Sequence, residues 1–251
     1  MGKIWKIGMA LRSRYKLWNL LRWELSDADW RREFSPFLKQ IPLGDIIAKA
    51  SMVQLVRPNY QNGNVSPEES LAIAALVAWK KPVHSLEIGT FDGNTTLQIA
   101  ANCAERGTVW TLDLPLDNKH IPDGVADADG QFILSTVRHE KRFINTSFAS
   151  RVIEIFGDSK SFDFESVLKG TRLDLVFIDG SHSYEYVRSD TERIMPLLGP
   201  MAVIIWHDYC RNWPGVVRYL NELGQSYPLL HIAGTNLVFC AFENRKFRIS
   251  K

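Results

Sequence analysis

The sequence predicts an α/β fold: a mostly parallel sheet with helices on both faces. Two observations carry this. From about residue 83 onward, seven short apolar runs alternate with stretches of helical periodicity, the pattern that successive strand–helix units leave in a sequence. The last two runs have only Ala233-Gly234-Thr235 between them. That is too short for a crossover, so the final pair of strands closes the sheet as an antiparallel hairpin.

Residues 1–65 are expected as a basic, Trp-rich helical extension ahead of a body spanning 66–251. Residues 1–42 hold nine Lys/Arg against four Asp/Glu, and Trp5, Trp18, Trp23 and Trp30 are half of the eight tryptophans. With Ile4, Ile7, Leu11, Leu17, Leu20, Leu21 and Leu25 interleaved, the segment fits a basic amphipathic helix making peripheral contact with an anionic inner membrane surface. It fits equally a helix packed on the body or in a homo-oligomer. Arg12, Arg14 and Lys16 interrupt any apolar core of a secretory signal.

The body opens with Ser66-Pro67-Glu68-Glu69, an N-cap serine, proline at the first helical position and glutamate at N3. The helix it starts carries the apolar run Leu71–Trp79 and stops before Pro82. Strands are expected at Val83–Ile88, Thr108–Leu112, Val152–Phe156, Leu173–Ile178, Met201–Trp206, Leu229–Ile232 and Asn236–Phe242. Between them, helices are expected at Thr95–Glu105, Phe132–Thr146, Tyr184–Leu198 and Val216–Leu223. The stretch Leu116–Gly130, with four Asp, reads as a loop over the substrate side.

Composition excludes several classes. Apolar residues make up 45% of the 251 and charged residues 23%, ordinary for a chain with a real core. No apolar run approaches the roughly 20 residues of a membrane-spanning helix. Net charge is +2 and the body carries no basic stripe, so nucleic acid is not an expected partner. Cys103, Cys210 and Cys240 are sparse and unpaired in spacing, which suits a reducing cytoplasm.

The chemistry is concentrated at strand ends. The first strand runs into Glu87-Ile88-Gly89-Thr90-Phe91-Asp92-Gly93-Asn94, where Gly89 and Gly93 allow a tight turn and close approach of a ligand to a helix start. A dinucleotide fingerprint, G-x-G-x-x-G, would need glycine where Phe91 stands. The pattern present, E-x-G-x-x-x-G, resembles motif I of class I methyltransferases that use S-adenosylmethionine. Asp113 closes the second strand about 20 residues on, where a carboxylate can accept ribose hydroxyls. Gly157-Asp158-Ser159 closes the third, Ile178-Asp179-Gly180-Ser181-His182 the fourth and Trp206-His207-Asp208-Tyr209 the fifth.

With Trp213-Pro214-Gly215-Val216 and Gly234-Thr235, these stretches resemble a bacterial group of class I methyltransferases related to the metal-dependent O-methyltransferases of catechol and macrolide-sugar type. The resemblance covers roughly residues 66–242. It implies a Rossmann-like seven-stranded sheet of order 3-2-1-4-5-7-6, with S-adenosylmethionine as cofactor and Mg2+ or another divalent metal beside it. Cofactor-binding residues would be Glu87, Gly89, Thr90, Gly93, Asn94, Asp113, Asp158, Ser159 and Asp179. Asp179 and Asp208 would hold the metal, joined by His207 or His182, and the catalytic set would be Asp179, His182, His207 and Asp208. Without a metal, the two aspartates would cap loops and bind the cofactor or substrate directly, and a histidine would be the base. The expected reaction is methyl transfer to a hydroxyl of a small molecule or glycan. The alternatives are an NAD-dependent oxidoreductase, which lacks its second glycine here, a silent cofactor-binding module, and a membrane-surface scaffold working through the arm.

Overall fold

A computed structural model describes residues 35–61, 63–115, 122–125, 129–130 and 140–242. Of the expected amphipathic arm over 1–42, residues 1–34 lie outside them, as do His120 and residues 131–139, and in the described remainder Gln40–Ile41 form a strand and not a helix.

The chain first lays down β1 (Gln40–Ile41), α1 (Leu43–Ile47) and α2 (Pro67–Lys80). It then alternates through β2 (His84–Ile88), α3 (Asn94–Asn102), β3 (Thr108–Asp113), β4 (Val152–Phe156), α4 (Phe164–Leu168), β5 (Leu173–Ile178), α5 (Tyr184–Ile194), β6 (Leu198–Trp206) and α6 (Pro214–Leu223). β7 (Leu230–Ile232) and β8 (Val238–Ala241) close it. The capping box at Ser66 forms as the sequence implies. Ser66 Oγ accepts from Glu69 N at 3.2 Å, and Glu69 Oε2 accepts from Ser66 N at 2.8 Å.

Strand periodicity builds two cores. On β5, Val176 and Ile178 face a core shared with Val187 and Ile194 of α5 and Val217 and Leu220 of α6. Leu175 and Phe177 face the opposite core, with Ile73, Leu76 and Val77 of α2 and Ile99 of α3. Both faces of the sheet are covered, which is why the central strands read as unbroken apolar runs.

The strand order is β4-β3-β2-β5-β6-β8-β7-β1. Its seven expected strands stand in the expected order, with β8 antiparallel to both β6 and β7. The count is corrected from seven to eight. β1 pairs parallel with β7 at the edge through Gln40↔His231 and Ile41↔Ile232, held by His231 N donating to Lys39 O at 2.9 Å. Two residues carry no period, so this strand has no sequence signature. Its approach is pinned where Tyr209 Oη accepts from Phe37 N and Leu38 N.

The helix expected over Phe132–Thr146 fails in its described part. Residues 142–145 form turns, and Asn145 has φ +58°. Instead of bonding back along a helix, Arg142 N donates to Asp92 O at 2.8 Å, tying this segment to the turn after β2. Among the described residues, no helix is long and apolar enough to cross a membrane.

Parallel register sets the site. Ile88 is level with Leu112 and with Ile178, and Ile178 is level with Trp206. The residues that follow β2, β3, β5 and β6 therefore emerge on one rim, at the point where strand order reverses between β2 and β5.

Candidate functional site

The turn after β2 is built on glycine. Gly89 has φ +96°, and a Cβ there would lie 2.1 Å from the Asp179 carbonyl oxygen, so only glycine lets the two loops meet. Gly93, at φ +76°, caps the start of α3, and a Cβ on it would strike the Phe143 ring at 2.7 Å.

Beneath this turn lies Glu87, fully buried. Its Oε2 accepts from Thr111 Oγ1 at 2.6 Å and from Thr96 Oγ1, while Oε1 has no hydrogen-bond partner among the described residues. Burial, only partly opposed by the two threonines, pushes its pKa up to about 8. Thr90 is also buried, with Oγ1 2.6 Å from Thr111 Oγ1. Asn94 is committed elsewhere, its Oδ1 accepting from Asn59 N at 2.8 Å.

Asp113 joins the same turn, accepting from Phe91 N at 3.1 Å and Leu114 N at 2.9 Å. Burial raises its pKa against the pull of Lys141. That lysine, absent from the expected site, donates to Phe91 O at 2.5 Å and lies 3.3 Å from Glu154 and 3.7 Å from Asp113. Asp158 accepts from Tyr186 Oη and Lys160 N, each at 3.0 Å, and Ser159 is buried next to it.

Across the rim, two histidines and four carboxylates interlock. His182 Nε2 lies 2.5 Å from Asp208 Oδ2, and its Nδ1 lies 2.5 Å from Asp129 Oδ1. His207 Nδ1 lies 3.0 Å from Asp179 and 3.5 Å from Asp208, while its Nε2 faces Glu69 at 3.3 Å. Asp208 adopts φ +60°, a left-handed backbone that aims its carboxylate back toward the histidines.

The charges follow from these pairings. Burial alone would lower the pKa of His182, but Asp208 and Asp129 outweigh it and push the value up to about 10. His207 is raised well above its ordinary value, since Asp179 and Asp208 outweigh its burial. Burial would raise Asp208, yet the two histidines hold it well below the usual carboxylate range. Asp179 is raised by burial, opposed by His207. Glu69, buried against His207, is held at about 2: burial works to raise it and the hydrogen bond and charge of His207 prevail.

The ligating atoms of Asp179, His182 and Asp208 lie within 4.8 Å of one another. Two carboxylates and an imidazole suit a divalent cation. His207, expected among the ligands, is not one of this trio; its Nδ1 lies against Asp179 and its far nitrogen faces Glu69. Sequence reasoning placed Glu69 only as a helix cap. It also missed Asp129 and Lys141, which sit in segments whose path no periodicity specifies.

Residues 86–209 match a family described as a methyltransferase domain. No curated protein sequence matches the chain. Among solved structures, an O-methyltransferase from Bacillus cereus in complex with SAH is 17% identical with a TM-score of 0.52, over 90% of this chain and 96% of that one. A Staphylococcus aureus protein described as a caffeoyl-CoA O-methyltransferase is 17% identical with a TM-score of 0.51, over 92% and 99%. The calicheamicin methyltransferase CalS11 is 16% identical with a TM-score of 0.51, over 69% and 78%. At these identities the likeness is one of fold.

Proposed function

We infer, on the premise that residues 86–209 belong to the methyltransferase-domain family, that this chain moves a methyl group from S-adenosylmethionine to a hydroxyl oxygen of a small molecule or sugar. The observation that carries the reading is the alignment of strand ends. It sets the glycine turn and Asp113 beside Asp179, His182 and Asp208.

The residues present suit the cofactor. The Gly89 turn has no room for a side chain, and Glu87 offers a buried oxygen without a partner. Asp113 and the Gly89–Gly93 turn would hold its ribose and methionine ends, with Asp158 and Ser159 at the adenine. The cofactor supplies an already activated methyl group, so the protein's work is alignment and handling of the acceptor's proton. Asp179, His182 and Asp208 would hold a divalent cation, whose charge lowers the pKa of a hydroxyl placed beside it. A cation there would also favour the neutral form of His207, which can then take the acceptor's proton, whereas His182 would spend its basic nitrogen on the cation.

The test is calorimetry with S-adenosylhomocysteine, followed by a labelled-methyl assay against a panel of phenols, small alcohols and sugars. Asp113→Ala should weaken S-adenosylhomocysteine by about 1–3 kcal/mol, the scale of lost hydrogen bonds to a charged group. Tight binding of NAD with no response to S-adenosylhomocysteine would overturn the reading. We further propose that the protein is cytoplasmic and that the basic arm ahead of β1 meets anionic lipid or a second copy. The body it extends takes in β1 and α1, which join the sheet and its cores, and so begins before residue 66. Salt-sensitive binding to anionic vesicles, lost on deleting residues 1–34, supports lipid; a dimer lost on the same deletion supports a second copy.

A further inference from the structure

We propose that Asp129 is the positioning residue of the acceptor site, gripping His182 so that its Nε2 is presented, beside Asp179 and Asp208, to the cation position. The proposal rests on the functional reading above for what the site accepts. Its geometry stands apart from that reading.

Asp129 lies 53 residues before His182 in the chain, between β3 and β4. Its carboxylate nonetheless takes three contacts from one short stretch. Oδ2 accepts from Ser181 Oγ and from His182 N, each at 2.8 Å, and Oδ1 lies 2.5 Å from His182 Nδ1. Two of these would suffice to anchor a loop. The third goes to the ring, and it decides which nitrogen faces the site.

The remaining freedom of the ring is removed from the other sides. Trp213 stacks on it with centroids 3.9 Å apart and planes 17° from parallel. Asp208 meets Nε2 at 2.5 Å. Nδ1 is thus held by the segment carrying Asp129, and the ring face and Nε2 by the one loop between β6 and α6, through Trp213 and Asp208. An imidazole whose Nδ1–H is donated to a carboxylate has its tautomer and orientation set by that partner. This gives Asp129 the role of orienting a ligand of the cation position, without touching cation or acceptor itself.

The test uses the full chain with 15N-labelled histidine. A strongly downfield ring-proton resonance, assigned to His182 by its loss in His182→Gln and to Nδ1 by its one-bond 15N correlation, should report the bond to Asp129. Asp129→Asn should abolish or shift that resonance while S-adenosylhomocysteine affinity stays within about twofold, showing the body intact. Ser181→Ala removes a neighbouring contact and should leave the resonance in place. The proposal is overturned if the resonance is missing from the wild type, survives Asp129→Asn, or vanishes in Ser181→Ala. Failure of the wild type to bind S-adenosylhomocysteine would instead remove the functional reading, with the resonance still deciding the geometry.

Discussion

Replacing Glu87 by glutamine should remove a pH dependence of stability, and its size can be worked from the burial. Glu87 is fully buried, and its pKa is pushed up to about 8 from an ordinary 4.5. Between those values the native state keeps a proton that the unfolded chain releases, so native stability falls as pH rises through the window. At about 1.4 kcal/mol per pH unit, the full window is worth about 4–5 kcal/mol. Glutamine never ionises, which removes that loss. Its carbonyl can still accept from Thr96 and Thr111, but where the neutral carboxyl sets one unpartnered O–H at Oε1, its NH2 sets two N–H donors, one more left unmet. A buried donor left unmet costs about 1–3 kcal/mol. Near pH 5 the wild type should therefore be the more stable, by about 1–2 kcal/mol. Near pH 9 the Glu87→Gln variant should lead by about 2 kcal/mol. Urea denaturation of both proteins at pH 5, 7 and 9 measures this directly. Parallel curves for the two proteins would refute the argument, because they would mean that Glu87 ionises in the native state as it does in the unfolded one.

Gly89→Ala should cost about 3 kcal/mol or more, since φ +96° and a Cβ 2.1 Å from a backbone oxygen leave nothing flexible to yield; a melting temperature unchanged within a few degrees would contradict it. Glu69→Gln should lose stability above pH 4.5 and little at pH 2. Glu69 is held at about 2, so its contribution of about 3 kcal/mol is present above pH 4.5 and fades as pH falls toward 2. Equal stability of the two proteins at pH 6 would remove the His207 pairing. Asp179→Ala and Asp208→Ala should each abolish methyl transfer with S-adenosylhomocysteine affinity nearly unchanged. The double variant should be little worse, because parts of one site are not additive. A chelator should reproduce the loss and magnesium or manganese restore it. Full activity in chelator would leave the histidines working without a metal.

The sequence by itself determined the class of fold and the rim on which chemistry collects. Alternating apolar runs, the three-residue link before the last strand and the Ser66 capping box are local patterns, and local patterns survive without knowledge of the partners. Gly89, Asp113, Asp179 and Asp208 were legible for the same reason, each lying just past a readable strand end. Tertiary structure decided what no period encodes. The strand Gln40–Ile41 exists only because β7 offers it an edge, and residues 142–145 turn because Arg142 N finds Asp92 O across the fold. Glu69 reads as a cap, yet its carboxylate also reaches His207 because α2 packs against the sheet face below β6. Both histidines meet the aspartates, but it is His182 whose free-facing nitrogen clusters with both Asp179 and Asp208, its other nitrogen being held by Asp129, while the far nitrogen of His207 faces Glu69. Each of these outcomes depends on a partner tens of residues distant in the chain, and only the three-dimensional packing specifies that partner.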